Sequence, residues 1–408
     1  MSSILYIGYL HYPFYQETAM TQPVHSFHGT CHPRYESVRE AFAEGFRTRG
    51  EIGAAVAIAV DGELVVDLWA GYADPGRRRP WQRDTIAHVY SVSKGITALC
   101  AHRLIERGTL ELDAPVARYW PEFAQSGKGA IPVRWLLSHR AGLPALRAPL
   151  PAWTLYDWEA MCRALAAAEP CVPPGQLVYH PVTFGWLAGE LVRRCDGRSL
   201  GRFLREEIAE PLGADVHIGL GPAEQKRAAD ITALEPPPEL VASFSGAPPG
   251  ELPLVALAFV NPIGNGNHNS PDHRRAEIPA INAHATAAGL ARIYGALARG
   301  GELDGVRVLG ADAIDRARSE QARAVDPLLA IPLRMGLGFW LSHAEAPGFA
   351  FGPNPGAFGH PGAGGSLGFA DPDARVGFGY VTNRMGHSVA VDERPQALID
   401  ALYAIGRC

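Results

Sequence analysis

The stretch Ala87-His-Val-Tyr-Ser-Val-Ser-Lys-Gly-Ile-Thr-Ala-Leu99 decides how the rest of the chain is read. Its first residues suit a strand and turn, and an apolar helical run follows from Ser91. A serine and a lysine three residues apart on one helix face lie side by side, so the pattern sets Ser91 against Lys94. An amine held there can take the proton from a hydroxyl that is otherwise a poor nucleophile. Lysine is scarce: Lys94, Lys128 and Lys226 stand beside 34 arginines, so a lysine-rich composition does not account for the pairing. The plain alternative is that Ser91 caps the helix and Lys94 is a solvated helix residue.

The 408 residues can bury one large core or two smaller ones. A hydrophobic fraction of 47% and a charged fraction of 19% are ordinary for a globular chain. A net charge of −5 gives no reason to expect nucleic acid or an anionic membrane as partner. The six cysteines (Cys31, Cys100, Cys162, Cys171, Cys195, Cys408) show neither a zinc pattern nor a disulfide framework, so reduced thiols are expected. The first ten residues are apolar but lack a preceding Lys or Arg, and His11 and Pro13 interrupt them. Met20 is an alternative start that leaves the first nineteen residues as an appendage, and the expectation is a cytoplasmic enzyme.

Residues 35–48 carry Val38, Phe42 and Phe46 at helical spacing. Two β-rich runs, Ala54–Val60 and Glu63–Ala70, flank Asp61-Gly62, a strong hairpin signal. Helices are expected from Ser91 to Gly108, over Phe184–Cys195, after a Ser199 cap, over Thr286–Arg299 and from Glu393 to Ile405. Residues 235–275 are rich in Pro, Gly and Asn and read as irregular. Strands return at Met335–Leu341, Ser366–Ala370 and Arg375–Thr382. Strands early, helices in the middle and strands late predict an α+β chain. An N-terminal extension (1–30) precedes a discontinuous sheet domain (31–90 plus 276–408), with a helical domain (91–275) inserted.

Ser91-Val-Ser-Lys94 resembles the nucleophile motif of the serine β-lactamase and penicillin-binding-protein superfamily, and further matches follow in order. Leu112-Asp-Ala-Pro-Val116 and Tyr119-Trp-Pro-Glu-Phe123 are similar to the stretch after the nucleophile helix in class C relatives. Val133-Arg-Trp-Leu-Leu-Ser-His-Arg-Ala-Gly-Leu-Pro144 is similar to their LLxHxSGL turn. Pro173-Pro-Gly-Gln-Leu-Val-Tyr-His-Pro-Val-Thr-Phe-Gly-Trp186 resembles the catalytic-tyrosine segment, and Gly359-His-Pro-Gly-Ala-Gly-Gly365 stands in place of the third, Lys-Thr-Gly-like motif. The resemblance spans residues 35–405 and implies the β-lactamase/transpeptidase-like fold, an antiparallel sheet flanked by terminal helices with a helical insertion.

By that resemblance Ser91 is the nucleophile, and Lys94 is its base, made partly neutral by burial and neighbouring positive charge. Tyr179 is the second proton carrier, its phenol eased toward ionisation by a nearby ammonium. The backbone N–H groups of Ser91, at a helix start, and Ala363, on a strand, form the oxyanion hole. Gly362 lets substrate approach a strand, His360 lies beside the leaving group or the substrate's polar end, and His180 faces substrate. No metal or cofactor is implied. Tyr179 as a core tyrosine and His360 as a structural histidine are the plain alternatives, and Ser138 and His139 are expected to hold a turn. Gly364-Gly-Ser-Leu-Gly368 also matches the nucleophile elbow of α/β-hydrolases, but a strand rather than a helix is expected after Ser366, which disfavours it. Asn265–His273 offers potential metal ligands without regular spacing and reads as an exposed polar loop.

Two departures bear on substrate. Penicillin-hydrolysing relatives have Tyr-x-Asn where this chain has Tyr179-His-Pro181, and a lysine and threonine where it has His360 and Pro361. A β-lactam would lose an amide, a cation and a hydroxyl. The pattern fits a serine hydrolase of small or medium carboxylic esters, similar to family VIII carboxylesterases. The alternative is an acyltransferase that passes the acyl group from Ser91 to an alcohol or amine in secondary metabolism. A β-lactamase or D-amino peptidase fits less well. The expected partner is a small ester or acyl donor, and the oligomeric state is left open.

Overall fold

The computed structural model describes residues 26–232, 252–262, 267–346 and 348–405. The chain forms β1 (Phe27–Cys31), β2 (Gly53–Val60), β3 (Glu63–Gly71), β4 (Ala87–His88), β5 (Val216–Ile218), β6 (Ala283–Ala285), β7 (Glu302–Leu303), β8 (Val306–Arg307), β9 (Ala322–Val325), β10 (Pro332–Met335), β11 (Trp340–Leu341), β12 (Phe358–Pro361), β13 (Leu367–Asp371) and β14 (Val376–Thr382). Among the described residues, nine strands make one antiparallel sheet in the order β1-β3-β2-β14-β13-β12-β11-β10-β9. The sheet therefore joins both ends of the chain, and the register Val60↔Val376 to Ala54↔Thr382 stitches the early hairpin to the last strand. The hairpin turn is Asp61-Gly62, with both residues at positive φ, as a tight turn matched to strand twist requires.

Alternation along β2 assigns its two faces. Ala54, Val56 and Ile58 share a core with Val38 and Phe42 of the Glu36–Thr48 helix and with Leu398, Ile399 and Leu402 of the Glu393–Ala404 helix. Ala55 and Ala57 share the other core with Leu290, Ala291 and Tyr294 of the Ala287–Ala298 helix. This gives a helix–sheet–helix sandwich. The segment between β3 and β9 carries the Val92–Glu106, Trp158–Ala167 and Phe184–Asp196 helices and a small β4-β6-β5 sheet. No helix among the described residues is long and apolar enough to cross a membrane.

The α+β reading and the antiparallel sheet hold, and several boundaries change. Residues 27–31 pair with β3 (Phe27↔Ala70 to Cys31↔Val66), so the expected extension over 1–30 ends inside the sheet; residues 1–25, with the alternative start at Met20, lie outside the described residues. The expected strand Met335–Leu341 is two strands, because Gly336–Phe339 folds as a turn that pairs Met335 with Trp340. Part of the expected irregular stretch is helical, at Leu254–Val260 and Pro271–Arg275, while residues 235–251 lie outside the described residues. Strand β6, placed with the sheet domain from sequence, instead pairs with β4 and β5.

The Ala287–Ala298 helix lies directly on β14 because that strand carries glycine where the two backbones meet. A Cβ added at Gly377 would stand 2.1 Å from the Gly295 amide nitrogen. Gly377→Ala is expected to lower unfolding free energy by about 1–3 kcal/mol, the usual cost of overpacking. Urea denaturation measures it, and an unchanged midpoint would mean that the helix can shift freely.

Candidate active site

Ser91 is the N-cap of the Val92–Glu106 helix, yet its side chain makes no capping hydrogen bond. Its Oγ lies 3.0 Å from Lys94 Nζ instead. The turn before it is strained: Tyr90 has φ +45°, a left-handed conformation uncommon for a bulky side chain. Ser93 ties this turn down, its hydroxyl donating to the Tyr90 carbonyl and accepting from the Ala283 amide at 2.9 Å. The helix is buried on nearly every side, including Lys94, so the helical insertion and the sheet both press on it.

Lys94 Nζ reaches three oxygens: Ser91 Oγ at 3.0 Å, the Pro181 carbonyl at 2.7 Å and the Ala280 carbonyl at 3.0 Å. A neutral amine has two N–H donors and one lone pair. In that form the two carbonyls, which can only accept, would take both donors and leave the lone pair for the Ser91 hydroxyl proton. Burial alone holds the amine well below the ordinary lysine value; the neighbouring positive charge expected from sequence does not contribute.

Tyr179 is buried, with the Lys94 amine 5.0 Å from its ring centre. Its hydroxyl lies 3.4 Å from His360 Nε2, with Ser91 beside it. Burial raises the phenol above its ordinary value, and the Ser91 contact only partly offsets this. The expectation of an easily ionised phenol is thereby corrected: Tyr179 is a neutral O–H. Its backbone is fixed by Asp326, whose carboxylate accepts from the amides of Tyr179 (2.5 Å), Leu328 and Leu329. His139 (φ +59°) packs its ring 4.7 Å from that of Tyr179, and its Nδ1 accepts from the His180 amide. Ser138 donates to the Arg134 carbonyl at 2.7 Å, holding the same turn.

His360 and His180 both point inward. His360 is fully buried, with Nδ1 2.7 Å from the Pro361 carbonyl, so Nδ1 carries the proton and Nε2 faces the Tyr179 hydroxyl as an acceptor. Burial, with the Lys94 amine beside it, holds the ring well below the ordinary imidazole value. His360 thus contacts the tyrosine rather than lying at a substrate's polar end. In His180, Nδ1 donates to the Val178 carbonyl (2.6 Å) and Nε2 accepts from the Leu143 amide (3.1 Å). Burial pushes this ring down to about 4. The substrate contact expected of His180 is corrected, since both ring nitrogens are spent inside the protein.

Ala363 lies in a turn after β12, not on a strand. Among the described residues, neither its backbone N–H nor that of Ser91 has a hydrogen-bond partner. The turn is held by Gly362 N–H to the Ser366 carbonyl (2.7 Å) and by Arg394, which donates to the Gly364 carbonyl at 2.5 Å. Gly362 is close to protein rather than to a substrate space, because a Cβ there would stand 2.3 Å from the Val89 carbonyl oxygen. That close approach brings the Ala363 turn beside the residues leading into Ser91. Ser366 is buried and runs into β13, so the strand–serine–helix elbow is not formed.

Sequence reading missed Asp326, for which an Asp-Pro pair before a strand is no more than a turn signal. It also misjudged Asn265–His273. Asn265 lies outside the described residues, but His268 and His273 are buried rather than exposed, beside His88.

Comparison with known proteins shows the family and the fold. The family model described as Beta-lactamase matches residues 38–402. The esterase/beta-lactamase LipL of Mycobacterium tuberculosis is 38% identical over 373 residues, covering 88% of this chain and 83% of that protein. A penicillin-binding-protein homologue from Caulobacter crescentus superposes with a TM-score of 0.85 at 42% identity, covering 93% of this chain and all of that one. A family VIII carboxylesterase superposes at 0.82 with 39% identity, again covering 93% of this chain and all of its own.

The lowered Lys94 value predicts a pH trend in stability. An unfolded lysine titrates near about 10.4. Between the native and unfolded values the unfolded chain binds the extra proton, so stability contributed here falls as pH drops from about 10 toward neutrality. Lys94→Met removes that dependence. Its stability relative to the unmodified chain is expected to improve steadily as urea denaturation is moved from pH 10 to pH 7. A difference independent of pH would show that the amine remains charged in the fold.

Proposed function

Given that the chain belongs to the beta-lactamase family, matched over residues 38–402, we propose that it is a serine hydrolase of small or medium carboxylic esters working through an acyl-Ser91 intermediate. The observation that carries this is the buried Lys94 amine, with two donors on carbonyls and its remaining contact on Ser91 Oγ. LipL and the family VIII carboxylesterase, named for esterase activity, support the ester class.

In acylation the Lys94 lone pair takes the Ser91 proton as Oγ bonds to the ester carbonyl carbon. The carbonyl oxygen becomes an oxyanion and receives the two unpartnered N–H groups of Ser91 and Ala363. As the tetrahedral intermediate collapses, the C–O bond to the alkoxide breaks and the neutral Tyr179 phenol supplies its proton. Lys94, now an ammonium beside the Tyr179 ring, returns its proton to the phenoxide, so both groups are neutral again before water enters. Water then attacks the acyl carbon by the same route in reverse, and the acid leaves. His360 Nε2, an acceptor without a proton of its own, holds the Tyr179 hydroxyl in place.

The altered motifs support esters over β-lactams. Pro181 cannot supply a side-chain amide, and its carbonyl is taken by Lys94. His360 is buried and uncharged, so it offers no cation to a carboxylate.

With p-nitrophenyl acetate, intact-mass measurement is expected to show one acetyl adduct that is absent in Ser91→Ala and retained in Ser366→Ala. Full turnover by Ser91→Ala would overturn the assignment. Tyr179→Phe is expected to reduce kcat by about 10²–10⁴, the usual contribution of a positioned acid or base. Benzylpenicillin is expected to turn over far more slowly than the ester, and efficient hydrolysis would contradict the reading of Pro181 and His360. Adding alcohols or amines and measuring new ester or amide against free acid determines whether water is the second nucleophile.

A further inference from the structure

Behind the nucleophile turn lies a second group of chemistry-bearing side chains that ester hydrolysis does not use. His88 (on β4), His268 and His273 (in the Pro271–Arg275 helix) each offer a ring nitrogen, and the three atoms lie within 4.8 Å of one another. All three residues are more than nine-tenths buried. The rings pack face to face, with centroids 5.1 Å apart for His88–His268 and 4.4 Å for His268–His273. Among the described residues, both ring nitrogens of His88 and both of His273 lack a hydrogen-bond partner. Leaving several buried polar atoms unpaired costs about 1–3 kcal/mol each, so packing alone is a poor reason to gather these imidazoles.

We infer that His88, His268 and His273 form a binding site for a first-row divalent transition-metal ion of the zinc class. Three imidazoles with one further position suit such an ion, and oxygen-seeking Mg²⁺ or Ca²⁺ would find no carboxylate among these ligands. Nitrogens on a tetrahedral zinc at about 2.0–2.1 Å lie roughly 3.4 Å apart, so the rings close inward by about 1 Å on binding. The Tyr90 hydroxyl lies 2.9 Å from His268 Nδ1, the kind of orienting contact that fixes the other nitrogen of a metal-bound imidazole as the ligand. His284 faces His88 across the β4–β6 pair, its Nδ1 bonded to the Asn282 carbonyl, and stands outside the three-nitrogen cluster, so the remaining position falls to a water. The nearby cation Arg274 is paired with Asp230 at 2.8 Å, which offsets its repulsion of a second positive charge. The ion would join the strand leading into Ser91 to the segment 267–275, and so would brace the strained Tyr90–Ser91 turn without touching substrate. No metal was expected from sequence, because His88 is 180 residues from His268.

The full chain, stripped with a chelator and returned to buffer, is titrated with Zn²⁺ by calorimetry and then assayed for metal after gel filtration. One equivalent is expected to remain, with a raised thermal midpoint. His88→Gln and His273→Gln are each expected to weaken binding by about a hundredfold or more, since even outer-shell losses cost 10–100-fold. His28→Gln, on the exposed edge strand, is expected to change nothing. The unmodified chain with Co²⁺ gives a second readout that needs no variant: visible bands of a four-coordinate imidazole site, without the near-ultraviolet charge transfer of thiolate ligation. Absence of stoichiometric binding, equal affinity in both histidine variants, or a thiolate signature would overturn the proposal. Because the assay reads metal and stability, it stands whether or not Ser91 acts on esters.

Discussion

The structure turns on the burial of one amine. Taking an ammonium out of water costs several kcal/mol, so a buried lysine needs every donor satisfied and is drawn toward its neutral form. Lys94 meets that condition through three segments that are distant in sequence: its own helix at Ser91, the loop before Phe184 at Pro181, and the turn before β6 at Ala280. The amine ties these segments together, and their burial lowers its affinity for a proton. The same burial raises Tyr179 and lowers His360, so all three groups are pushed toward their uncharged forms. Such a set can pass one proton around a reaction centre without placing an unpaired charge there.

Positioning falls to residues that carry no reactive chemistry. Asp326 holds the Tyr179 amide, His139 supports the tyrosine ring, and Gly362 admits the Val89 carbonyl so that the Ala363 turn can lie beside Ser91. Arg394, from the C-terminal helix, grips the other side of that turn through the Gly364 carbonyl. The departures at Pro181 and His360 fit this scheme. Each keeps a polar atom at the site, a carbonyl for Lys94 and an imine nitrogen for Tyr179. Each also removes the side-chain donor or cation that a β-lactam would engage.

The strand leading into Ser91 is flanked on both sides by buried polar groups. Lys94, Tyr179 and His360 stand on the side of the Val92–Glu106 helix, and the imidazoles of His88, His268, His273 and His284 stand behind β4. The Tyr90 hydroxyl touches that second group through His268, while the Tyr90 carbonyl holds Ser93. One strained residue therefore links the two.

Local pattern was enough for much of the fold. The Asp61-Gly62 hairpin, the helices at Glu36–Thr48, Phe184–Asp196 and Ala287–Ala298, and the strands at β13 and β14 follow from periodicity and turn chemistry, which act over a few residues. The same local logic failed at Gly336–Phe339, where a turn inside an apolar run leaves no period to read. It failed also at 27–31, where strand pairing with Trp69 and its neighbours rather than intrinsic preference decides. The sequence by itself determined that Ser91 and Lys94 would face each other, because three residues on a helix is a fixed geometry, and that Tyr179 and the 359–365 motif belonged with them by resemblance. Only the tertiary structure decided which way each group's proton affinity is pushed, the inward turn of His180 and His360, and the meeting of His88 with His268 and His273. Those outcomes depend on which dipoles and how much water surround a side chain, and that is set by contacts between segments up to nearly two hundred residues apart.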